Sequence, residues 1–142
     1  MSKAAEFPFQ IVRSRVFGLI QRPTILATMC GPRGASEALF LLDSGADISL
    51  VSHSFGQQLG LTCQGALRGA CRGVGPGLVE YQICPVQLRV QHIQLRVRVG
   101  WCLTDEFPFL LGRLDVFDQL DIEFRQSANS ILLRPAATGT RG

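Results

Sequence analysis

The sequence predicts a mainly β domain with one or two short helices, and three observations carry that expectation. Two segments, VQLRV (86 to 90) and IQLRVRV (93 to 99), alternate apolar and polar residues with the period of a strand. Short apolar runs recur along the chain and are broken by glycine or proline. Helical spacing is confined to Ser54 to Leu59 and to the segment holding Leu114, Phe117 and Leu120. At 142 residues the chain suits one domain with a single core.

Taken in order, residues 1 to 10 read as a flexible lead, 11 to 134 as the folded domain and 135 to 142 as a flexible tail. Partial alternation from Ile11 to Phe17 predicts a half-buried or edge strand. Thr24 to Met29 and Ala38 to Leu42 read as strands joined through the turn CGPRGAS, hence a hairpin. Ser54 to Leu59 suits one or two helical turns closed by Gly60 as the C-terminal cap. The glycine-rich segment GACRGVGPGLVEY (69 to 81) lies between two strand-like pieces and calls for mobility or positive φ angles.

The pair 86 to 90 and 93 to 99 predicts a second hairpin, with Val86, Leu88, Val90, Leu95, Val97 and Val99 on its apolar face. Arg89, Arg96 and Arg98 fall on the opposite, solvated face. Gln91-His92 is not a preferred two-residue turn, so a longer loop is expected there. The apolar run Phe107 to Leu111 ends at Gly112, and the spacing in RLDVFDQL predicts a short helix with Asp115 and Asp118 on its outer side. Asp121 to Phe124 and Ser130 to Leu133 suggest a last hairpin around QSAN.

Composition narrows the function. Hydrophobic residues at 46% and charged residues at 18% describe a globular chain. The net charge of +3 is modest, and although Lys3 is the only lysine, no arginine run has the density of a nucleic-acid tail. No nucleic-acid partner is therefore expected. The absence of an 18-residue apolar run argues against a membrane span, and the N-terminus lacks the basic and apolar regions of a signal peptide. Phe7 to Pro23, with Arg13, Arg15 and Arg22, mimics a transit peptide, but Glu6, few serines and strand-like spacing oppose it.

Five cysteines (Cys30, Cys63, Cys71, Cys84 and Cys102) form no C-x-x-C pair and leave one over if bridged. Reduced thiols and a cytoplasmic location are the expectation. With His53 or His92 they match no common zinc spacing, so neither metal nor other cofactor is expected.

The chemistry concentrates in FLLDSGADISLVS, residues 40 to 52. Phe40, Leu41 and Leu42 read as a strand covered on both faces, and Asp43 ends it abruptly. A carboxylate there is costly unless hydrogen-bonded, paired or partly protonated. Gly45 permits a sharp turn or the close approach of another backbone. Asp43 or Asp47 also suits the N-cap of a short helix starting near Ile48. GVGPG suggests a phosphate loop only weakly, because no lysine or Ser/Thr pair follows it.

Three segments, in order, resemble the retroviral-type (retropepsin-like) aspartic proteases and their cellular and bacterial relatives. Leu41-Leu42-Asp43-Ser44-Gly45-Ala46-Asp47 resembles the family's hydrophobic-hydrophobic-Asp-Thr/Ser-Gly-Ala-Asp signature. Gly69 to Gly77 resembles the flap, and Leu110-Leu111-Gly112-Arg113 resembles the hydrophobic-hydrophobic-Gly-Arg segment near the C-terminus. The resemblance they carry covers about residues 24 to 133. Two departures stand out: Pro76 stiffens the flap tip and removes a backbone donor, and the N-terminus is longer than in the minimal viral enzyme.

The resemblance implies a closed β-barrel or sandwich with a flap hairpin, assembled as a homodimer that hydrolyses peptide bonds of extended polypeptides. Asp43 would be catalytic, supported by Ser44 and Gly45. Ala46, Asp47, Val74, Gly75, Pro76, Gly77, Leu110 and Leu111 would bind substrate, and Asp47 would pair with Arg113 in a partly buried place. One chain carries one such motif, and the other aspartates lack it, so a two-carboxylate site demands a second copy. The alternative is a retropepsin-like dimerisation or peptide-binding module without catalysis, since fold does not guarantee activity.

Overall fold

A computed structural model of the chain describes residues 3–62, 67–72, 78–106 and 109–137, with only the backbone at 71 and 72. The early strands are β1 (Ala5–Phe7), β2 (Gln10–Ser14), β3 (Gly18–Arg22), β4 (Thr24–Gly31), β5 (Gly34–Leu42) and β6 (Ser49–Val51). Helix α1 (His53–Leu59) precedes β7 (Arg68–Arg72), β8 (Leu78–Val90), β9 (Ile93–Cys102), β10 (Leu110–Leu111), β11 (Leu120–Arg125) and β12 (Ser130–Pro135).

Six strands close a barrel in the order β4-β5-β10-β6-β9-β8, and β8 returns to β4 through Thr28–Arg89, Met29–Leu88 and Cys30–Gln87. Strand β7 extends β8 outside the ring. Closure leaves no free edge along most of the wall. The interior is filled by side chains such as Ile25, Met29, Phe40, Leu88, Val99 and Leu111. Phe40 meets Phe55 of α1 edge-on at 6.1 Å between ring centroids, which seats the helix on the barrel.

Strict alternation predicts β8 and β9, and burial follows it residue by residue from Val86 to Val99. The loop between them differs from expectation. Val90 pairs with Ile93, so Gln91 and His92 alone make the turn, with Gln91 at φ 53°. Tertiary bonds hold this unfavoured pair: Gln91 Nε2 donates to the Glu6 carbonyl at 2.9 Å, and His92 Nε2 lies 2.5 Å from the Lys3 carbonyl.

Those bonds also explain why the N-terminal lead is not loose. Ala5–Phe7 pairs antiparallel with Ile131–Leu133, and Ala5 and Phe9 are buried. At the other end Pro135 is still in β12, and the Ala136 amide donates to Gln119. The strand expected from Ile11 to Phe17 stops at Ser14, whose Oγ accepts from the Val16 and Phe17 amides and turns the chain into β3.

Helix α1 runs from His53 under a Ser52 cap whose side chain accepts from the Phe55 amide, and it ends at Gly60 with φ 77°. No helix begins near Ile48; residues 49 to 51 are β6, paired with β9 and β10. The helix expected after Gly112 is also replaced. Leu114 (φ −64°, ψ 129°) and Asp115 (φ 69°, ψ −25°) have the angles of a type II turn, leaving Leu114 exposed. The last hairpin forms as expected, its turn closing at Asn129 with φ 52°.

Cys84 is disulfide-bonded, which corrects the expectation of reduced thiols throughout, whereas Cys30 is a free thiol. No helix among the described residues is long and apolar enough to cross a membrane, and no cluster of three or more potential metal ligands occurs among them.

Candidate active site

The segment around Asp43 is shaped by β10 passing between β5 and β6. Leu110 and Leu111 run parallel to Leu41 and Leu42, while Leu110 pairs antiparallel with Leu50 on the other side. The loop 43 to 48 must therefore cross over the end of β10. Backbone bonds close the crossing: the Asp43 amide donates to Leu111 O at 3.0 Å, Arg113 N to Ala46 O at 2.9 Å and Leu114 N to Asp47 O at 2.9 Å.

Gly112 occupies the tightest point. A Cβ there would lie 2.4 Å from Ile48 O and 2.9 Å from Ala46 O, so only glycine lets the two segments touch. Its amide donates to Ser49 Oγ at 2.9 Å, and Ser49 is fully buried. The hydroxyl of the first residue of β6 thus fastens the second apolar-glycine segment to the first.

Within this frame Asp43 is half-buried at the end of β5, and its Oδ1 accepts from the Gly45 amide at 2.9 Å. Among the described residues, Oδ2 has no hydrogen-bond partner. Ser44 and Gly45 are exposed at the loop's outer turn. Ala46 and Ile48 are half-buried and pack with Leu41 against the small cluster of Leu50, Cys102 and Leu110. Leu110 is 8% exposed, whereas Leu111 is fully enclosed in the barrel core and supports the loop from beneath. Arg113 Nη2 donates to Asp47 Oδ1. Their side chains are 58% and 76% exposed, so this pair sits in solvent rather than in the partly buried place expected.

The other carboxylates with hydrogen-bond partners are tied elsewhere. Asp105 Oδ1 accepts from the Ser54 amide at 2.7 Å, which holds its carboxyl below the usual range. Asp118 Oδ2 accepts from the Asp115 amide at 3.2 Å, and Glu123 pairs with Arg125 and Arg134. Asp115 is gripped by Arg98, whose hydrogen bonds lower the carboxyl's pKa. Ser49, Arg98 and Asp115 are support residues that sequence reasoning did not single out. The arginine stood in an alternating strand, where its solvated neighbours are indistinguishable from it. Val74, Gly75, Pro76 and Gly77 lie outside the described residues, but Arg68–Arg72 and Leu78–Gln82 form antiparallel arms on either side of them.

No family model and no curated protein matches the sequence. Among solved structures, a retropepsin-like aspartic protease from Rickettsia conorii superposes with a TM-score of 0.59 over 92% of this chain and 91% of that one, at 16% identity. The fold is retropepsin-like. An EIAV protease complexed with the inhibitor HBY-793 also matches, over 72% of this chain and 88% of that one, at 23% identity and a TM-score of 0.47. In this retropepsin-like fold the Asp-Ser-Gly loop and the Leu-Leu-Gly-Arg segment lie against each other.

Proposed function

We propose that the chain is an aspartic endopeptidase that hydrolyses extended polypeptides with a pair of Asp43 carboxylates contributed by two copies. The observation that carries this is the placement of Asp43: half-buried, fixed through Oδ1 by the Gly45 amide, on a loop stitched down by β10. A second carboxylate beside Oδ2 makes a site in which one proton is shared, because two like charges a few ångströms apart do not both ionise readily.

In such a dyad the ionised carboxylate takes a proton from a bound water as its oxygen forms a bond to the scissile carbonyl carbon. The protonated partner gives its proton to the carbonyl oxygen. Collapse of the resulting gem-diol breaks the C–N bond, with a proton delivered to the leaving amine. Because the step needs one ionised and one protonated carboxylate together, an acidic to near-neutral optimum is expected. Ser44 and Gly45 brace the paired loops. Ala46, Asp47, Leu110 and Leu111 shape the site that receives the substrate backbone, and Val74, Gly75, Pro76 and Gly77 are assigned to substrate binding as its flap residues.

The test is cleavage of denatured casein across pH 3 to 8 by wild type and Asp43→Asn, with and without a transition-state-mimicking aspartic protease inhibitor. Cleavage by wild type that both controls abolish is expected. Cleavage persisting in pure Asp43→Asn overturns the assignment, and an inactive wild type shown to be dimeric shifts it to a binding module.

A further inference from the structure

The hairpin of β2 and β3 stands apart from the barrel sheet as its own two-stranded unit. Val16 and Phe17 at its tip are 81% and 80% exposed, and Leu19 and Ile11 are 67% and 51% exposed. The register pairs Arg13 with Leu19 and Ile11 with Gln21, so Ile11 and Leu19 share one face beside Arg13. An isolated two-stranded hairpin is marginal in water, and a strip of large apolar side chains on one signals a covering surface.

Two anchors locate the root of this arm. Gln21 Nε2 bonds Asn129 Oδ1 at 3.1 Å, and the Phe9 amide bonds the same oxygen at 3.2 Å. Just past Arg22, the Pro23 carbonyl accepts from the amide of Leu42, the residue before Asp43, at 2.9 Å. The arm therefore leaves the barrel next to the candidate catalytic loop.

We infer that the β2–β3 arm, led by Val16 and Phe17, grips a second copy of this chain across the axis that brings two Asp43 loops together. This rests on the proposed two-copy site: if the carboxylates meet within a few ångströms, each arm is rooted close to the axis. Five residues of strand reach about 15 Å, far enough to cross it. Between Gln10 and Arg22 the arm carries Arg13, Arg15 and Arg22 and no acidic residue, so arm does not stack on arm. It lies instead on the partner's body, twice over by symmetry.

The experiment is sedimentation equilibrium of the full chain, comparing wild type with the double variant Val16→Asp and Phe17→Asp. Both side chains are solvent-facing within one copy, so far-ultraviolet circular dichroism and melting of the separated subunits stay unchanged. Loss of the apolar contact weakens association roughly tenfold for each arm, about a hundredfold for the symmetric pair. Benzoylphenylalanine at position 17 of the wild-type chain then crosslinks to a second copy. An unchanged dimer constant, or no crosslink in a dimeric sample, overturns the arm's role while leaving the Asp43 dyad to its casein test. A wild type that never dimerises overturns both. Binding to phosphatidylserine vesicles that the double variant loses, with the dimer constant unaltered, overturns the inference in favour of a membrane-facing arm.

Discussion

Arg98 of β9 grips Asp115 through three hydrogen bonds: Nε to Oδ2 at 2.7 Å, Nη2 to Oδ1 at 2.9 Å and its backbone amide to Oδ2 at 2.9 Å. The grip holds Asp115 at φ 69° in the turn that follows Gly112 and Arg113. Because that turn also donates Leu114 N to Asp47 O, the barrel wall supports the Asp43 loop through it.

The pH dependence of this support has a definite sign. Hydrogen bonds from Arg98 lower the Asp115 pKa below its ordinary 3.8. The contribution to stability is therefore complete above 3.8 and is lost as pH falls through the lowered folded value. Arg98→Gln is expected to melt below wild type at neutral pH, with the gap closing as the solution becomes acidic. Differential scanning calorimetry from neutral to acid checks this, and a gap that widens in acid refutes it.

Ser49→Ala tests the fastener inside the crossing. It leaves the buried Gly112 amide without its 2.9 Å partner, which costs about 1–3 kcal/mol. Urea unfolding should show that loss in the midpoint with an unaltered slope. Retention of full stability means that another acceptor, such as water, reaches the amide.

Gly112→Ala inserts a methyl against backbone atoms that have no rotamer to retreat into. Overpacking of this kind costs about 1–3 kcal/mol. A displacement near 1 Å at a reacting group lowers kcat/KM by roughly a hundredfold. Under the proposed activity, the expected result is a folded variant whose catalysis suffers more than its melting temperature. Equal wild-type kinetics would show that the loop position tolerates the shift.

The fold was most legible where alternation is strict. The residues of β8 and β9 announce both strands and their buried face, and DSGAD with LLGR points to two segments that do meet. Failures came where a distant partner decides the local geometry. The Leu114, Phe117 and Leu120 spacing suggests a helix, yet the Arg98 grip on Asp115 makes a turn. Gln91-His92 is a poor turn by propensity, and bonds to Glu6 and Lys3 force it tight. Ala5 to Phe7 is too short to read as a strand until β12 offers it an edge. In the candidate site the motif residues were visible, but the Ser49 hydroxyl that holds them was hidden among apolar neighbours.

The exposure of Asp47 and Arg113 separates stability from function. A solvated ion pair contributes at most about 1 kcal/mol, so Asp47→Asn and Arg113→Gln should each melt close to wild type. Under the proposed activity Asp47 also meets the substrate main chain. Asp47→Asn should then raise KM for an extended peptide while keeping most of kcat, the pattern of lost ground-state binding. Arg113→Gln, which removes only the orienting partner, should raise KM less, and added salt should weaken wild-type binding toward that variant's level. Steady-state kinetics on one peptide at two ionic strengths decides it. A fall in kcat without a change in KM would instead place Asp47 in the transition state's support, and unchanged kinetics would remove it from the site.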